Sequence, residues 1–435
     1  MNEIIKISLF QDILKSVTPL GIAVLSGYRE YPRSIQTDID IIGTEEVLDK
    51  LKLLAARGDC KAVQVIQHEA TCYYWIFHQA DEQGHPVFLH FDFALDYRWK
   101  GMVFYRAEEL LSGGRVEVGL PLLSVAHEFG YYFIKKIGKG NLESRHEAIL
   151  SDLFQQDSPG CERELLHFLP RGESQVVARA AATRNWSEVQ THLRQMRRAM
   201  LLKVAMKRPL DIVFYYVGEA LRWVKRVIQP TGLVVAFLGP DGSGKSTVAE
   251  HLTRDLQPAF RHARIVHLRP SLRPRTGNGP VSDPHGQPPR GFLPSLAKIF
   301  YWWAEILFGW LVNIQPAKIH STFIVFDRYY HDLFVDPKRY RFSGPMNLAR
   351  LIGRLIPQPD LFFILDLPPE TALARKPEMS LLDARLLRER YLELGKSLPN
   401  ANVVDASLPL EEVILNVDRI LLNYMEHRLK NRLGL

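Results

Sequence analysis

The chain has 435 residues, 46% hydrophobic and 24% charged, with a mean hydropathy of −0.10. That length exceeds one ordinary core and suits two or three, and the balance excludes a disordered chain or a fibrous repeat. The net charge of +7 invites a polyanionic partner, but it is unevenly spread. Residues 1–170 carry 17 Lys and Arg against 24 Asp and Glu (−7), residues 171–230 carry 12 against 4 (+8), and residues 231–435 carry 26 against 20 (+6).

The N-terminal stretch MNEIIKISLFQDILKS places charges inside its apolar pattern, so it does not read as a signal peptide. Cys60, Cys72 and Cys161 are scattered and form no C-x-x-C pair. A disulfide framework or thiolate zinc site is not expected, and a cytoplasmic setting fits better. GIAVLSG (21–27), TDIDIIG (37–43) and VFLHFDFALDY (87–97) read as strands, with a helix over 45–58 between the last two. Alternate residues of a strand share a face, so Asp38 and Asp40 can hold one divalent metal, with Asp92 completing the cluster. A glycine turn, a spacer and then Asp-x-Asp resemble the nucleotidyltransferase fold, although Tyr28 stands where that pattern has a small residue. The resemblance implies an α+β domain over 1–121, with metal-dependent nucleotidyl transfer as its activity.

From 122 to 200 the pattern is helical with heavily polar faces, and His127 reads as a helix-packing residue. Residues 201–230 form a basic amphipathic connector broken at Pro209. It is expected to pack between the flanking domains, or to touch an anionic membrane surface through 201–228. No nucleic-acid motif accompanies its charge, so nucleic acid is not an expected partner.

After Pro230, short apolar runs alternate with helices: LVVAFLG, ARIVHL, FIVFD, LFFILDL and NVVDA. Continuous apolar strands between helices predict a parallel sheet covered on both faces, over 231–435. Phe292–Ala317 is the least polar long window, but Lys298, Glu305, Asn313 and Gln315 favour a buried or half-buried helix, or an interfacial one, over a membrane span.

Gly239-Pro240-Asp241-Gly242-Ser243-Gly244-Lys245-Ser246-Thr247 meets the G-x-x-x-x-G-K-[ST] pattern between a strand and a helix. Its glycines let successive backbone N–H groups curl around an anion at a helix N-terminus. Lys245 would neutralise the β and γ phosphates of a nucleotide, and the Ser246 hydroxyl would ligate magnesium. Asp327-Arg328-Tyr329 ends an apolar strand, at the sheet edge where ligands bind. Asp327 would hold magnesium and Arg328 would clamp a phosphoryl group. The stretch 371–390 brings Arg375, Lys376, Arg385, Arg388 and Arg390 along helical segments. These form either a lid over the phosphates or a solvated basic face, and Arg375 is the best lid candidate.

Residues 231–425 resemble the thymidylate kinase-like branch of the P-loop nucleoside monophosphate kinases, in the acidic P-loop residue, the Asp-Arg-Tyr and the LDLPPETALAR approach to the lid. The resemblance implies ATP and Mg2+ as cofactors, with Asp241 beside the acceptor phosphate. The acceptor would be a nucleoside monophosphate or related small phosphorylated metabolite, and a homodimer is a further expectation. The family's Arg-Glu-Pro-Gly-Gly stretch is replaced here by a loop with five prolines and four glycines between Pro274 and Gly291. Arg269, Arg273, Arg275, Asp283, His285 and Arg290 either line an acceptor pocket or solvate that loop. Its Asp-Pro-His-Gly resembles kinase-like proteins of bacterial surface-polysaccharide contexts. Two rivals stand beside the kinase: a nucleotide-binding regulatory or assembly protein with slow turnover, and a bifunctional kinase and nucleotidyltransferase.

Overall fold

A computed structural model of the chain describes residues 2–57, 60–140, 142–270, 288–377 and 379–434. The loop residues Arg273, Arg275, Asp283 and His285 lie outside that description. Two compact units emerge: Met1–Asp81 with Val87–Lys225 and Arg428–Leu435, and Glu82–Pro86 with Arg226–His427. The helices from 125 to 207 therefore share a unit with the N-terminal sheet, and the last residues of the chain join that unit too.

In the first unit, strands β1 (Ile22–Ser26), β2 (Ile39–Gly43), β3 (Ala62–Glu69), β4 (Cys72–Ala80), β5 (Pro86–Ala94), β8 (Arg115–Glu117) and β9 (Leu120–Leu122) make a mixed sheet, while β6 (Asp96–Trp99) and β7 (Met102–Arg106) form a separate hairpin. The sheet order is β3-β4-β5-β2-β1-β9-β8, with β2 parallel to β5 and antiparallel to β1. Helices α1 (Asn2–Val17) and α2 (Glu45–Arg57) bury Phe10, Ile13, Val47 and Leu51 in one core with Phe91 and Phe93 of β5. After α3 (Ala107–Leu111) come α4 (Val125–Lys139), α5 (Ser144–Gln156), α6 (Ser158–Phe168), α7 (Arg171–Thr183) and α8 (Ser187–Lys207), which share a second core around Phe129, Phe133 and Phe168. Helix α4 starts where Ser124 Oγ accepts the His127 backbone N–H at 3.2 Å, and ends at Gly140 in the left-handed region. Helix α9 (Asp211–Ile228) has no buried side chain.

In the second unit, β10 (Leu233–Leu238), β11 (His262–His267), β12 (Thr322–Asp327), β13 (Leu361–Asp366) and β14 (Ala401–Asp405) form an all-parallel sheet of order β11-β12-β10-β13-β14. Strands β10, β12 and β13 are buried along almost their whole length, which is why their sequences are unbroken apolar runs. Helix α10 (Lys245–Leu256) packs on β11 and β12, and α16 (Leu381–Ser397) packs on β13 and β14. The apolar window becomes α11 (Phe292–Gly309), a π-helical turn at Trp310–Ile314 and α12 (Gln315–Ile319). It is half-buried: Ile299, Trp302 and Ile306 are covered, and Phe300, Tyr301 and Phe308 face solvent. Among the described residues no helix is long and apolar enough to cross a membrane. Helices α13 (Asp332–Val335), α14 (Met346–Arg354), α15 (Pro369–Arg375) and α17 (Leu410–Leu433) complete the chain.

Candidate functional site

The P-loop leaves the end of β10 and enters α10, and parallel pairing sets Phe237 of β10 beside Asp327 of β12. The C-terminal edges of the two central strands therefore meet at one place. The loop needs its glycines. Gly242 and Gly244 have φ of 80° and 86°, and a side chain on Gly239 would stand 2.8 Å from the Leu365 carbonyl oxygen. Lys245 is buried inside the loop and donates to the carbonyl oxygens of Gly239 and Pro240 at 2.8 and 2.7 Å. Burial, then the nearby Arg328 guanidinium, lower its pKa to about 8.

Two residues read as magnesium ligands are brought together. Ser246 Oγ donates to Asp327 Oδ2 at 2.7 Å, with His267 Nδ1 3.4 Å from the same carboxylate oxygen. A hydroxyl and a carboxylate side by side are hard oxygen donors suited to Mg2+.

Arg328 follows Asp327 with a left-handed φ of 69°, a conformation that costs a non-glycine residue roughly 1–2 kcal/mol. Its backbone N–H donates to the Phe237 carbonyl oxygen at 3.0 Å, which ties the strained residue to the neighbouring strand. That posture aims the guanidinium at Asp241 of the P-loop, to which it is ion-paired and hydrogen-bonded. Arg339 grips the other oxygen of the same carboxylate. Burial would raise the Asp241 pKa, but Arg328, Lys245 and Arg339 outweigh it and hold the carboxyl well below its usual range. Behind Arg328 lies Asp332, which is fully buried. It accepts from the Tyr340 hydroxyl at 2.7 Å and the Tyr391 hydroxyl at 2.6 Å, and stands 3.4 Å from Arg328 Nε. The guanidinium is thus held by carboxylates on two sides.

Arg339, Asp332, Tyr340 and Tyr391 were not singled out in the sequence. The run Asp336-Pro-Lys-Arg-Tyr-Arg matches no motif, and its basic character so soon after Asp-Arg-Tyr is the one signal that could have pointed to it. Among the lid candidates, Arg375 donates to the Gly242 carbonyl oxygen of the P-loop at 3.1 Å, and Lys376 lies beside the same loop. Arg388 makes a two-pronged pair with Asp366 at 2.6 and 2.8 Å, Arg385 binds Glu370 at 2.9 Å, and Arg390 reaches the Val335 carbonyl oxygen at 3.4 Å. A cleft between the P-loop and the lid helices is lined by Pro240, Asp241, Leu373, Lys376, Met379 and Leu387. Of the pocket candidates that the structure describes, Arg269 is paired with Glu305 and lies over the Trp302 ring at 4.9 Å. Lys298 lies over the same ring at 4.8 Å, and burial, with Arg290, Arg269 and Arg341 nearby, lowers its pKa to about 8.

In the first unit, Asp40 of β2 and Asp92 of β5 are register partners on parallel strands, and Asp38 immediately precedes β2. Asp40 Oδ2 accepts from Ser26 Oγ at 2.5 Å and from Lys135 Nζ at 2.8 Å. Burial, then Asp40 and Asp38, push the Asp92 pKa up to about 7. Among the described residues, no three acidic, histidine or cysteine side chains converge in a geometry that would hold a metal ion. Tyr28 donates its hydroxyl to Glu128 at 3.1 Å, and His127 packs against the Tyr105 ring.

A model of the thymidylate kinase family matches residues 237–417. Thymidylate kinase of Xanthomonas oryzae pv. oryzae (strain PXO99A) is 30% identical over 218 residues, covering 46% of this chain and 88% of the relative. Thymidylate kinase of Xanthomonas campestris pv. campestris (strain B100) is 28% identical over 47% of this chain and 88% of its own length. Probable thymidylate kinase 1 of Saccharolobus solfataricus is 28% identical over 43% and 96%. The matched span contains the P-loop, Asp327, Arg328, Arg339 and Arg375, so the chain belongs, through a nucleotide kinase domain in its C-terminal half, to the thymidylate kinase family.

Proposed function

We propose that residues 231–435 transfer the γ-phosphoryl group of ATP to a phosphate oxygen of a nucleoside monophosphate or related small phosphorylated acceptor. The bond from the γ-phosphorus to the β,γ-bridging oxygen breaks, a bond to the acceptor oxygen forms, and ADP leaves. The observation that carries this reading is the convergence of Arg328 and Arg339 on Asp241, beside the Lys245 ammonium. Three cations meet at Asp241, with Asp332 behind Arg328 balancing part of their charge, so their donors are fixed in place before substrate arrives, where a phosphoryl group would pass. Asp241 orients the guanidiniums and would meet the acceptor; Lys245 would neutralise the donor phosphates; Arg375 would close from the lid. Ser246 and Asp327 would hold Mg2+, which supplies charge neutralisation on the β and γ oxygens.

The likeness to thymidylate kinases supports dTMP as one acceptor to try. The departure around Asp283-Pro-His-Gly supports widening the range to nucleotides and sugar phosphates of surface-polysaccharide metabolism. The test is labelled ATP against a panel of nucleoside monophosphates and sugar phosphates, with products separated by chromatography. A labelled acceptor formed by the wild-type chain supports the reading; labelled inorganic phosphate as the sole product for every acceptor contradicts it.

A second reading, metal-dependent nucleotidyl transfer by the first unit, is favoured by the register that sets Asp40 beside Asp92. It fits less well, because Lys135 is already ion-paired with Asp40 and, among the described residues, no group of acidic, histidine or cysteine side chains would hold a metal ion. In the same panel, nucleotidylated products that disappear in Asp38→Ala/Asp40→Ala would establish it, and their absence from the wild-type chain would remove it.

A further inference from the structure

Helix α9 is amphipathic in the sense opposite to an ordinary surface helix. Its polar side is the one turned to the protein. The Tyr215 ring lies against Gly101, where an added side chain would come within 2.9 Å of it. Gly218 comes close to Ala70 at the β3–β4 turn, and Arg222 donates to the Gln67 carbonyl oxygen at 3.3 Å while pairing with Glu219 at 2.5 Å. Leu210, just before the helix, with Val213, Phe214, Val217, Leu221 and Val224, recurs at three- and four-residue spacing on the other side. These six are between 49% and 68% exposed. Tyr216 and Trp223, also exposed, stand seven residues apart along one border of that stripe.

An uncovered apolar stripe this continuous calls for an apolar partner surface. The charges around it say which kind. The stretch Leu201–Ile228 holds six Lys and Arg against two Asp and Glu; Arg222 pairs with Glu219 and Arg208 with Glu109. Lys207 and Lys225 are exposed near the two ends of the stripe, the Lys207 ammonium also donating to the His167 carbonyl oxygen at 2.7 Å. Border aromatics with one polar edge and flanking lysines whose stems can lie along apolar surface match the chemistry of a lipid headgroup layer. We propose that α9 docks the protein on an anionic bilayer, its apolar stripe entering the acyl boundary and its basic residues meeting headgroup phosphates. The inference does not depend on which acceptor the kinase domain uses.

The test is co-sedimentation of the full chain with vesicles of phosphatidylcholine alone and with added phosphatidylglycerol. Wild type should bind the anionic vesicles roughly tenfold or more tightly than the neutral ones, and binding should weaken as salt rises. Val217→Glu/Leu221→Glu should lose binding; Lys207→Glu/Lys225→Glu should lose the preference for anionic lipid. Leu221→Ala, which removes area without adding charge, should weaken binding by a smaller factor. Circular dichroism and ATP binding of the variants should match wild type. The proposal fails if wild type binds neither vesicle, or if the glutamate substitutions leave binding unchanged. It fails equally if light scattering shows that the stripe joins two copies, with wild type dimeric, Val217→Glu/Leu221→Glu monomeric and neither bound to lipid.

Discussion

Arg339 is the residue through which the proposed chemistry is most exposed to test. Its guanidinium shares Asp241 with Arg328, while its backbone N–H donates to Asp336 Oδ1 at 3.0 Å, a bond that a side-chain substitution leaves in place. If both guanidiniums stabilise charge that develops in transfer, Arg339→Ala should lower kcat by roughly 10²–10³ with a smaller change in KM for ATP. Arg339→Lys should recover little, because an ammonium cannot reproduce a fork of donors. Steady-state kinetics on the purified variants would decide it, and equal loss in both parameters would make Arg339 a binding residue. Lys245 yields a pH prediction. Its pKa near 8 lies below the usual lysine value, so the unliganded site sheds its proton as pH rises through about 8. Nucleotide phosphates favour the ammonium, so above that pH binding should take up a proton, and affinity should fall as pH rises further. Calorimetry in buffers of different ionisation enthalpy would register the uptake, which Lys245→Ala should abolish.

At the scale of elements, the parallel strands of the kinase domain were legible because burial on both faces leaves no polar alternation to misread. β10, β12 and β13 coincide with their apolar runs almost residue for residue. The hairpin β3–β4 was not legible, since Gln64, Gln67, His68 and His78 interrupt its apolar pattern while its pairing is set by the partner strand. The P-loop was read directly, being local in sequence. The Asp332–Tyr340–Tyr391 brace was not, because Tyr391 lies 59 residues from the aspartate it binds. The lid arginines were ambiguous for the same reason: the partners that restrain Arg385 and Arg388 stand 15 and 22 residues away. Helix α17 carries a separate consequence. Asp418 is buried, and among the described residues neither of its carboxylate oxygens has a hydrogen-bond partner. Burial, then Asp255 and Glu411, raise its pKa to about 7. The folded state keeps this proton to about pH 7 while the unfolded chain releases it near 3.8, so the group lowers stability as pH rises across that window. Asp418→Asn should therefore stabilise the protein by roughly 1–3 kcal/mol above pH 7 and by little near pH 4. Thermal unfolding at the two pH values would show it; an equal effect at both would mean that the carboxyl's ionisation is not the cause.

For the whole molecule, the net charge of +7 conceals three different spans. The positive kinase half carries guanidiniums and an ammonium gathered at the P-loop, where phosphates are handled. The most basic span, 171–230, ends in a helix whose apolar stripe is exposed. If α9 docks on a bilayer as proposed, the kinase domain of the same chain would act at a membrane surface. The rival reading of the kinase half, a nucleotide-binding regulator, shares its P-loop and differs in one respect: it holds ATP without passing the phosphoryl group on. Single-turnover transfer therefore tests the central claim most directly, with enzyme in excess over γ-labelled ATP and an acceptor mixture present. The account predicts that label moves to an acceptor at a rate roughly 10³-fold above that of Lys245→Ala. Tight ATP binding by the wild-type chain, with transfer no faster than in Lys245→Ala, would contradict it.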